Sequence, residues 1–379
     1  MTTLASRGRR NLAVAVAGCL LAACAGKGPK PAPLPEFKPT VETRIAWRVN
    51  VGDSGRYAFS PLVVDGAVYA AGTQGTLVRL NPERGRVAWR VDTGEELSGG
   101  VGVAGNLLLL GTAKGAVLAY DTDGKRLWRS QVSSEVLSAP AGNEDIVVVR
   151  SGDSRVFGLN ANDGSRLWEY QAATPPLTLR AKPGLVVVEN SAVVSGFPGG
   201  KLIMLGLRNG AVLWETSVAV PRGDNELERI ADIAGTPVVE PERICAVTYQ
   251  GRIGCYETER GTQLWSRDAS SAGSLGADSA TLYYAEENGD VIALDKATGA
   301  SMWKQEKLYA RGVSSPLAFG DYVVVGDFKG YVHFISREDG SFAARARSDR
   351  SPVLTQPVLL GKRVLVQTGR GGLYAIELR

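Results

Sequence analysis

Val68–Trp89 reads VYAAGTQGTLVRLNPERGRVAW, and the same phrase returns as LLLLGTAKGAVLAYDTDGKRLW over Leu107–Trp128 and as LYYAEENGDVIALDKATGASMW over Leu282–Trp303. In each copy an alternating apolar run meets a Gly-containing turn, a second alternating run ends near Asp or Asn, and a further turn closes on Gly. Trp follows that Gly four residues later. Alternation is the period of a strand with one buried face, and the glycines suit tight turns that need φ > 0. The turn glycines are Gly85, Gly124, Gly164, Gly210, Gly261 and Gly299, followed by Trp89, Trp128, Trp168, Trp214, Trp265 and Trp303. A unit of about 40 residues with four short strands has the length of a propeller blade.

Gly340 opens a seventh copy, in which Ala344 takes the Trp position and Phe342, on the same strand face, is placed to fill the volume. An eighth copy starts near Gln356 and stops at Arg379 without its last strand. The missing strand stands at the other end, in RIAWRVNV around Trp47. The sequence therefore predicts an all-β fold over residues 44–379: an eight-bladed β-propeller of four-stranded antiparallel blades, closed by pairing the N-terminal strand with the C-terminal strands. Closure of this kind removes the exposed edges of an open array.

Residues 1–23 read as an export signal, with Arg7, Arg9 and Arg10 ahead of an apolar run, Leu12–Ala23, that is too short to span a bilayer comfortably. The run ends in Leu21-Ala22-Ala23-Cys24, which resembles a bacterial lipobox. Cys24 is the expected lipidation site, and Ala25 after it favours sorting to the outer membrane. Several acyl chains on one residue meet the need for more than one lipid in stable anchoring. Pro29, Pro31, Pro33, Pro35 and Pro39 then give residues 24–43 the composition of an extended tether, with a reach of about 50–60 Å. Without residues 1–23 the chain keeps 40 basic side chains against 39 acidic ones, which is not the basic footprint of a nucleic-acid binder.

The repeat is broken in two places, TPPLTLRAKPG at Thr174–Gly184 and AVPRGDNELERIADIAGTP at Ala219–Pro237. Both are connections from an outer strand to the next inner strand, so both emerge on one face and flank the same blade. Long loops on a rigid scaffold are common places for function. Pro175 and Pro176 stiffen the first loop, where Leu177 and Leu179 either present an apolar pair beside Arg180, which suits a protein contact, or pack down onto the rim. In the second, Asn225–Ile230 reads as a short helical turn or as a solvated charged cap, with Asp232 close behind.

Cys245 and Cys255 lie in alternating runs on either side of Tyr249-Gln250-Gly251, a loop that sets them opposite each other. They read as a cross-strand disulfide, favoured by an oxidising periplasm, or as two buried thiols. No catalytic, metal or cofactor reading survives inspection. Gly52-Asp53-Ser54-Gly55 resembles a serine-protease segment, but the only histidine, His333, follows it and sits in a strand as a rim or interblade residue. Gly100–Gly105 matches GxGxxG but is followed by an apolar β run where a helix must begin. Asp121-Thr122-Asp123-Gly124 occupies an ordinary repeat turn and lacks the distal Glu of a calcium loop.

The repeat resembles that of quinoprotein propellers, shared by pyrroloquinoline-quinone dehydrogenases and a periplasmic lipoprotein family. Many of those enzymes carry vicinal cysteines, which do not occur here. Signal, lipobox, tether and repeats together, over about Thr43–Arg379, resemble the outer-membrane protein assembly factor B family of the β-barrel assembly machinery. That resemblance implies a non-catalytic scaffold lipoprotein at the periplasmic face of the outer membrane, docking on the periplasmic domains of the barrel-forming subunit. Other assembly lipoproteins and unfolded outer-membrane clients are further implied partners. The family's Leu-x-Leu-Arg contact segment is matched by Leu177, Leu179 and Arg180. Its Asp-x-Asp-x-Thr-Pro segment is matched by Asp232 and Thr236-Pro237, with Ala234 in place of the second Asp. The alternatives are a quinone- or small-molecule-binding propeller, which needs a polar central pocket, and a polysaccharide binder, which needs exposed aromatics on one face.

Overall fold

Each repeat folds into strands that hydrogen-bond in chain order from the centre outward. The computed structural model describes residues 29–379, so the export signal and Cys24 lie outside the described residues. The Trp214 unit, for example, consists of Val186–Val188, Ala192–Phe197, Lys201–Gly206 and Val212–Ser217, joined in that order. Among the described residues six sheets have four strands and one has eight. The eight-stranded sheet arises where Ala141, at the inner edge of the Trp168 unit, bridges Val103 of the Trp128 unit in parallel.

The two middle strands of a unit are covered on both faces by neighbouring sheets, which is why they read as nearly unbroken apolar runs. Ile146–Arg150 and Ala116–Tyr120 are buried at every position. Outer strands such as Arg166–Gln171 keep their alternation, with Trp168 as the buried member.

All seven tryptophans make the same junction. Each ring lies against the turn glycine of the following unit, and its indole N–H donates to a carbonyl in that unit. Trp168 donates to Leu207 O (2.9 Å) and lies over Gly210, Trp214 to Thr258 O (3.0 Å) over Gly261, and Trp303 to Arg337 O (2.8 Å) over Gly340. A Cβ on Gly210 would stand 2.4 Å from the Trp168 ring, and φ there is +66°. Only glycine satisfies both conditions.

The chain closes on itself. Thr43–Asn50 pairs antiparallel with Gly372–Leu378, placing Trp47 opposite Ala375, and Arg363–Gln367 and Val358–Leu360 complete that sheet. Trp47 docks on the Trp89 unit through Pro82 O (2.8 Å) and Gly85. The absence of Trp from the seventh copy also has a reason. The docking turn it would need is missing from the closing sheet, whose third and fourth strands, Gly372–Leu378 and Thr43–Asn50, are not joined by a turn but meet with Arg379 N donating to Glu42 O at 3.0 Å. Phe342 is covered instead by Phe37, ring centroids 5.5 Å apart.

That contact corrects the tether expected over residues 24–43. From Ala32 onward the Pro-rich segment is a strap laid along the seventh unit (Leu317–Phe319, Tyr322–Gly326, Tyr331–Ser336 and Phe342–Arg347), with Ala32 N donating to Tyr309 O and Thr40 N to Ala343 O, both at 2.9 Å. Proline removes donors but leaves its carbonyl as an acceptor. Arg311 takes the carbonyl of Ala32 (3.0 Å) and Arg345 that of Pro35 (2.8 Å).

Candidate functional site

Connections from outer to inner strands gather around the mouth of a central cavity of about 640 Å³, lined from every unit chiefly by small and apolar residues, alanine, glycine, leucine and serine. The two insertions meet on this face beside the Trp214 unit.

Leu177 is 39% exposed and points away from the core, while Leu179 is half-buried and lines the cavity. The backbone between them is held from below. Asp232, 1% exposed, accepts from Leu179 N through Oδ2 (2.7 Å) and from Gly199 N through Oδ1 (2.9 Å). Charge-assisted bonds of this kind are among the stronger ones available to a buried backbone. The structure therefore brings Leu177, Leu179, Arg180 and Asp232 together, but in two roles: the first three meet solvent, and Asp232 is a buried fastener.

Two residues that sequence reading missed complete the arrangement. Glu135, from the preceding connection, forms a two-point pair with Arg180, Nε to Oε1 at 2.9 Å and Nη2 to Oε2. The Arg180 hydrogen bond holds the Glu135 carboxyl below its ordinary value. The guanidinium also lies 5.7 Å from the centroid of the Tyr57 ring. Arg150 is buried beneath the loop, donating to Gly196 O and to Ser195 Oγ (3.3 Å), with its guanidinium 4.4 Å over Phe197. Burial lowers its pKa to about 9, against the opposing charge of Asp232. Lys182 stands at the same mouth, its pKa lowered by burial and by Arg180. Only the folded chain brings Glu135 and Arg150 to the loop; neither lies in a break of the repeat.

The second insertion divides. Its base is packed, with Ile230, Ala231, Ile233 and Ala234 all buried. Ala234, where the family pattern has Asp, is buried at the wall of the central cavity. The tip forms a single hydrogen-bonded turn rather than a helix, with Glu228 N donating to Asn225 Oδ1 (3.1 Å) and Asn225 Nδ2 to Glu228 Oε1 (2.8 Å). It leaves Leu227 68% exposed.

The other sequence candidates are placed elsewhere. Cys245 and Cys255 are directly paired across adjacent strands and joined as a disulfide, both fully buried. His333 is fully buried between Asp327 and Arg345. The Asp121 carboxylate is used by its own turn, accepting from Asp123 N and Lys125 N.

A family model described as "Outer membrane protein assembly factor BamB" matches residues 41–97 and 73–305. A curated BamB of Nitrosomonas eutropha is 47% identical over 334 residues, 88% of this chain and 81% of that protein. The BamB of Burkholderia pseudomallei is 39% identical over 371 residues, 97% of each chain. This chain belongs to the BamB family. The crystal structure of BamB from Moraxella catarrhalis superimposes with a TM-score of 0.80 at 25% identity, covering 88% of this chain and 99% of that one. A quinohemoprotein alcohol dehydrogenase from Comamonas testosteroni also matches, with a TM-score of 0.70 at 12% identity over 88% of this chain and 76% of that one. That likeness is of fold alone, a β-propeller with quinoprotein-type repeats shared by BamB proteins and enzymes.

Proposed function

We propose that this chain is a non-catalytic scaffold lipoprotein of outer-membrane β-barrel assembly, held at the periplasmic face of the outer membrane through lipid on Cys24. Its relatives are named as outer membrane protein assembly factors. In this reading the ring has eight blades, the eight-stranded sheet counting as two, since each half carries its own docked tryptophan, Trp128 and Trp168.

The observation that carries the reading is the fastened loop at the cavity mouth. Asp232 fixes the backbone at Leu179, and Leu177 is left exposed beside Arg180. A rigid apolar side chain next to a cation on ordered backbone is what a partner recognises at low entropic cost. The partner is the periplasmic part of the barrel-forming subunit, which would supply an apolar pocket for Leu177 and Leu179 and an acceptor for Arg180. Other assembly lipoproteins and unfolded clients are reached through that complex.

The test is co-isolation of the assembly complex with the lipoprotein under mild detergent. Leu177→Ala with Arg180→Ala is expected to abolish co-isolation while the protein stays folded and membrane-bound. Unchanged recovery of the complex with this double variant would reject the loop as the docking surface.

A further inference from the structure

The strap moves the point at which the anchor leaves the folded part. A tether free from Cys24 to Thr43 would let the propeller take any orientation. With the chain pinned from Ala32, only residues 25–31 stand between Cys24 and the fold. Fully extended they reach about 22 Å. The strap begins beside Tyr309, in the connection between the sixth and seventh units, and so on the face that also carries the two insertions.

Around that exit exposed cations gather, with Glu36 of the strap as an exposed acid nearby. Phe328 N donates to Arg311 O, which places the Phe328-Lys329 turn against the start of the strap, and Ser348 N donates to Gly330 O, bringing up the loop with Arg350. Lys30, Lys329, Arg347 and Arg350 are all exposed. Among the described residues none of them has an acidic side chain within salt-bridge distance, whereas neighbouring Arg311 is paired with Asp327 and Lys304 with Asp290 and Glu306. The acid in that loop, Asp349, is turned onto the hydroxyls of Ser351 and Thr368. Lys329 and Arg347 lie over Phe328 and Tyr331, at 5.5 and 5.3 Å from the ring centroids, and Tyr309 is exposed beside them. Unpaired cations interleaved with aromatic side chains, within a short reach of an acylated residue, match a bilayer surface of anionic headgroups, where each basic side chain strengthens attachment several-fold.

We propose that the strap sets the orientation of the molecule on the membrane, with the Lys30, Lys329, Arg347 and Arg350 edge resting on the headgroups of acidic phospholipids. The proposal rests on the anchoring at Cys24. It places the membrane contact on the seventh unit, away from the Trp168 and Trp214 units that carry the loop with Leu177, so anchor and partner do not compete for one surface.

The test reconstitutes the full lipidated protein in phosphatidylcholine vesicles with or without phosphatidylglycerol, with a fluorophore on Tyr309→Cys or, in the turn on the opposite face, on Glu338→Cys, and a quencher on the lipid headgroup. The expected result is strong quenching at position 309 that requires phosphatidylglycerol, and little at 338. Lys329→Glu, Arg347→Glu and Arg350→Glu together, or release of the strap by Ala32→Pro with Phe37→Ala, should remove the difference between the two positions. Equal quenching at both positions, or quenching at 309 indifferent to phosphatidylglycerol and to charge reversal, would overturn the proposal. Mass measurement separates the two readings. If Cys24 carries no acyl chain, the anchoring fails on its own, and the patch is then judged by sedimentation of the same protein with phosphatidylglycerol vesicles. Binding weakened several-fold by charge reversal supports it, and absence of binding overturns it.

Discussion

Two residues, one on each insertion, illustrate how burial separates recognition from support. Leu177 contributes little to the core, so Leu177→Ala should change stability by less than about 0.5 kcal/mol while weakening recovery of the assembly complex. Asp232→Ala removes both acceptors from two fastened N–H groups and takes the opposing charge of Asp232 away from Arg150. Its expected cost is about 2–4 kcal/mol, read as a shift in the denaturant midpoint together with faster proteolysis at Thr174–Gly184. If Asp232→Ala lost the complex with neither change, Asp232 would be a contact residue after all. The exposed pair Arg180–Glu135 decides less, since half-exposed ion pairs contribute about 0–1 kcal/mol. The sequence made the loop visible because it interrupts a regular spacing. It gave no sign of Glu135 or Arg150, whose neighbours in the chain follow the repeat and whose partners lie 45 or more residues away.

At the scale of elements, the junctions were legible because one physical requirement, a ring against a Cβ-free turn, recurs with constant spacing. Gly210→Ala tests that requirement. The left-handed φ and the displaced Trp168 ring together should cost about 2–4 kcal/mol, visible as a lower denaturant midpoint and altered tryptophan fluorescence. The strap was misread for an equally physical reason: proline-rich composition signals the lack of a ladder, but says nothing about donors elsewhere that take its carbonyls. Those donors are organised by His333, whose Nδ1 accepts from Arg345 Nε (3.2 Å) while its Nε2 faces Asp327 (3.3 Å). Burial lowers the His333 pKa, opposed by Asp327 and assisted by Arg345 and Arg311. A folded-state value below the unfolded value of about 6.5 means that the unfolded chain takes up a proton which the native state refuses. Stability should therefore fall as pH drops below about 6.5, by up to ~1.4 kcal/mol per pH unit until the folded-state value is reached. Denaturant titrations at pH 7 and 5 should show this loss in the native protein and a smaller one in His333→Gln. An equal loss in both would assign the acid sensitivity to other groups.

At the scale of the whole molecule, the fold depends on a contact between residues more than 300 positions apart, Thr43–Asn50 with Gly372–Leu378. An array whose units touch only their neighbours gains stability from interfaces, and its ends are the weak points. A ring has no ends if the closing junction is as strong as the others. The geometry there is the same as elsewhere, with Trp47 donating to Pro82 O at 2.8 Å over Gly85, as Trp128 donates to Ala161 O at 2.8 Å over Gly164. The two rings are also nearly equal in burial, at 7% and 8% exposed. Trp47→Ala and Trp128→Ala should therefore each cost about 3–5 kcal/mol and leave a single cooperative transition. A much smaller cost for Trp47, or a second transition confined to that variant, would mean that the ends associate loosely. The strap, held on the seventh unit by Arg311, Arg345, the Tyr309 and Ala343 carbonyls and the Phe342 ring, would then be a separate element whose hold does not depend on the closing sheet.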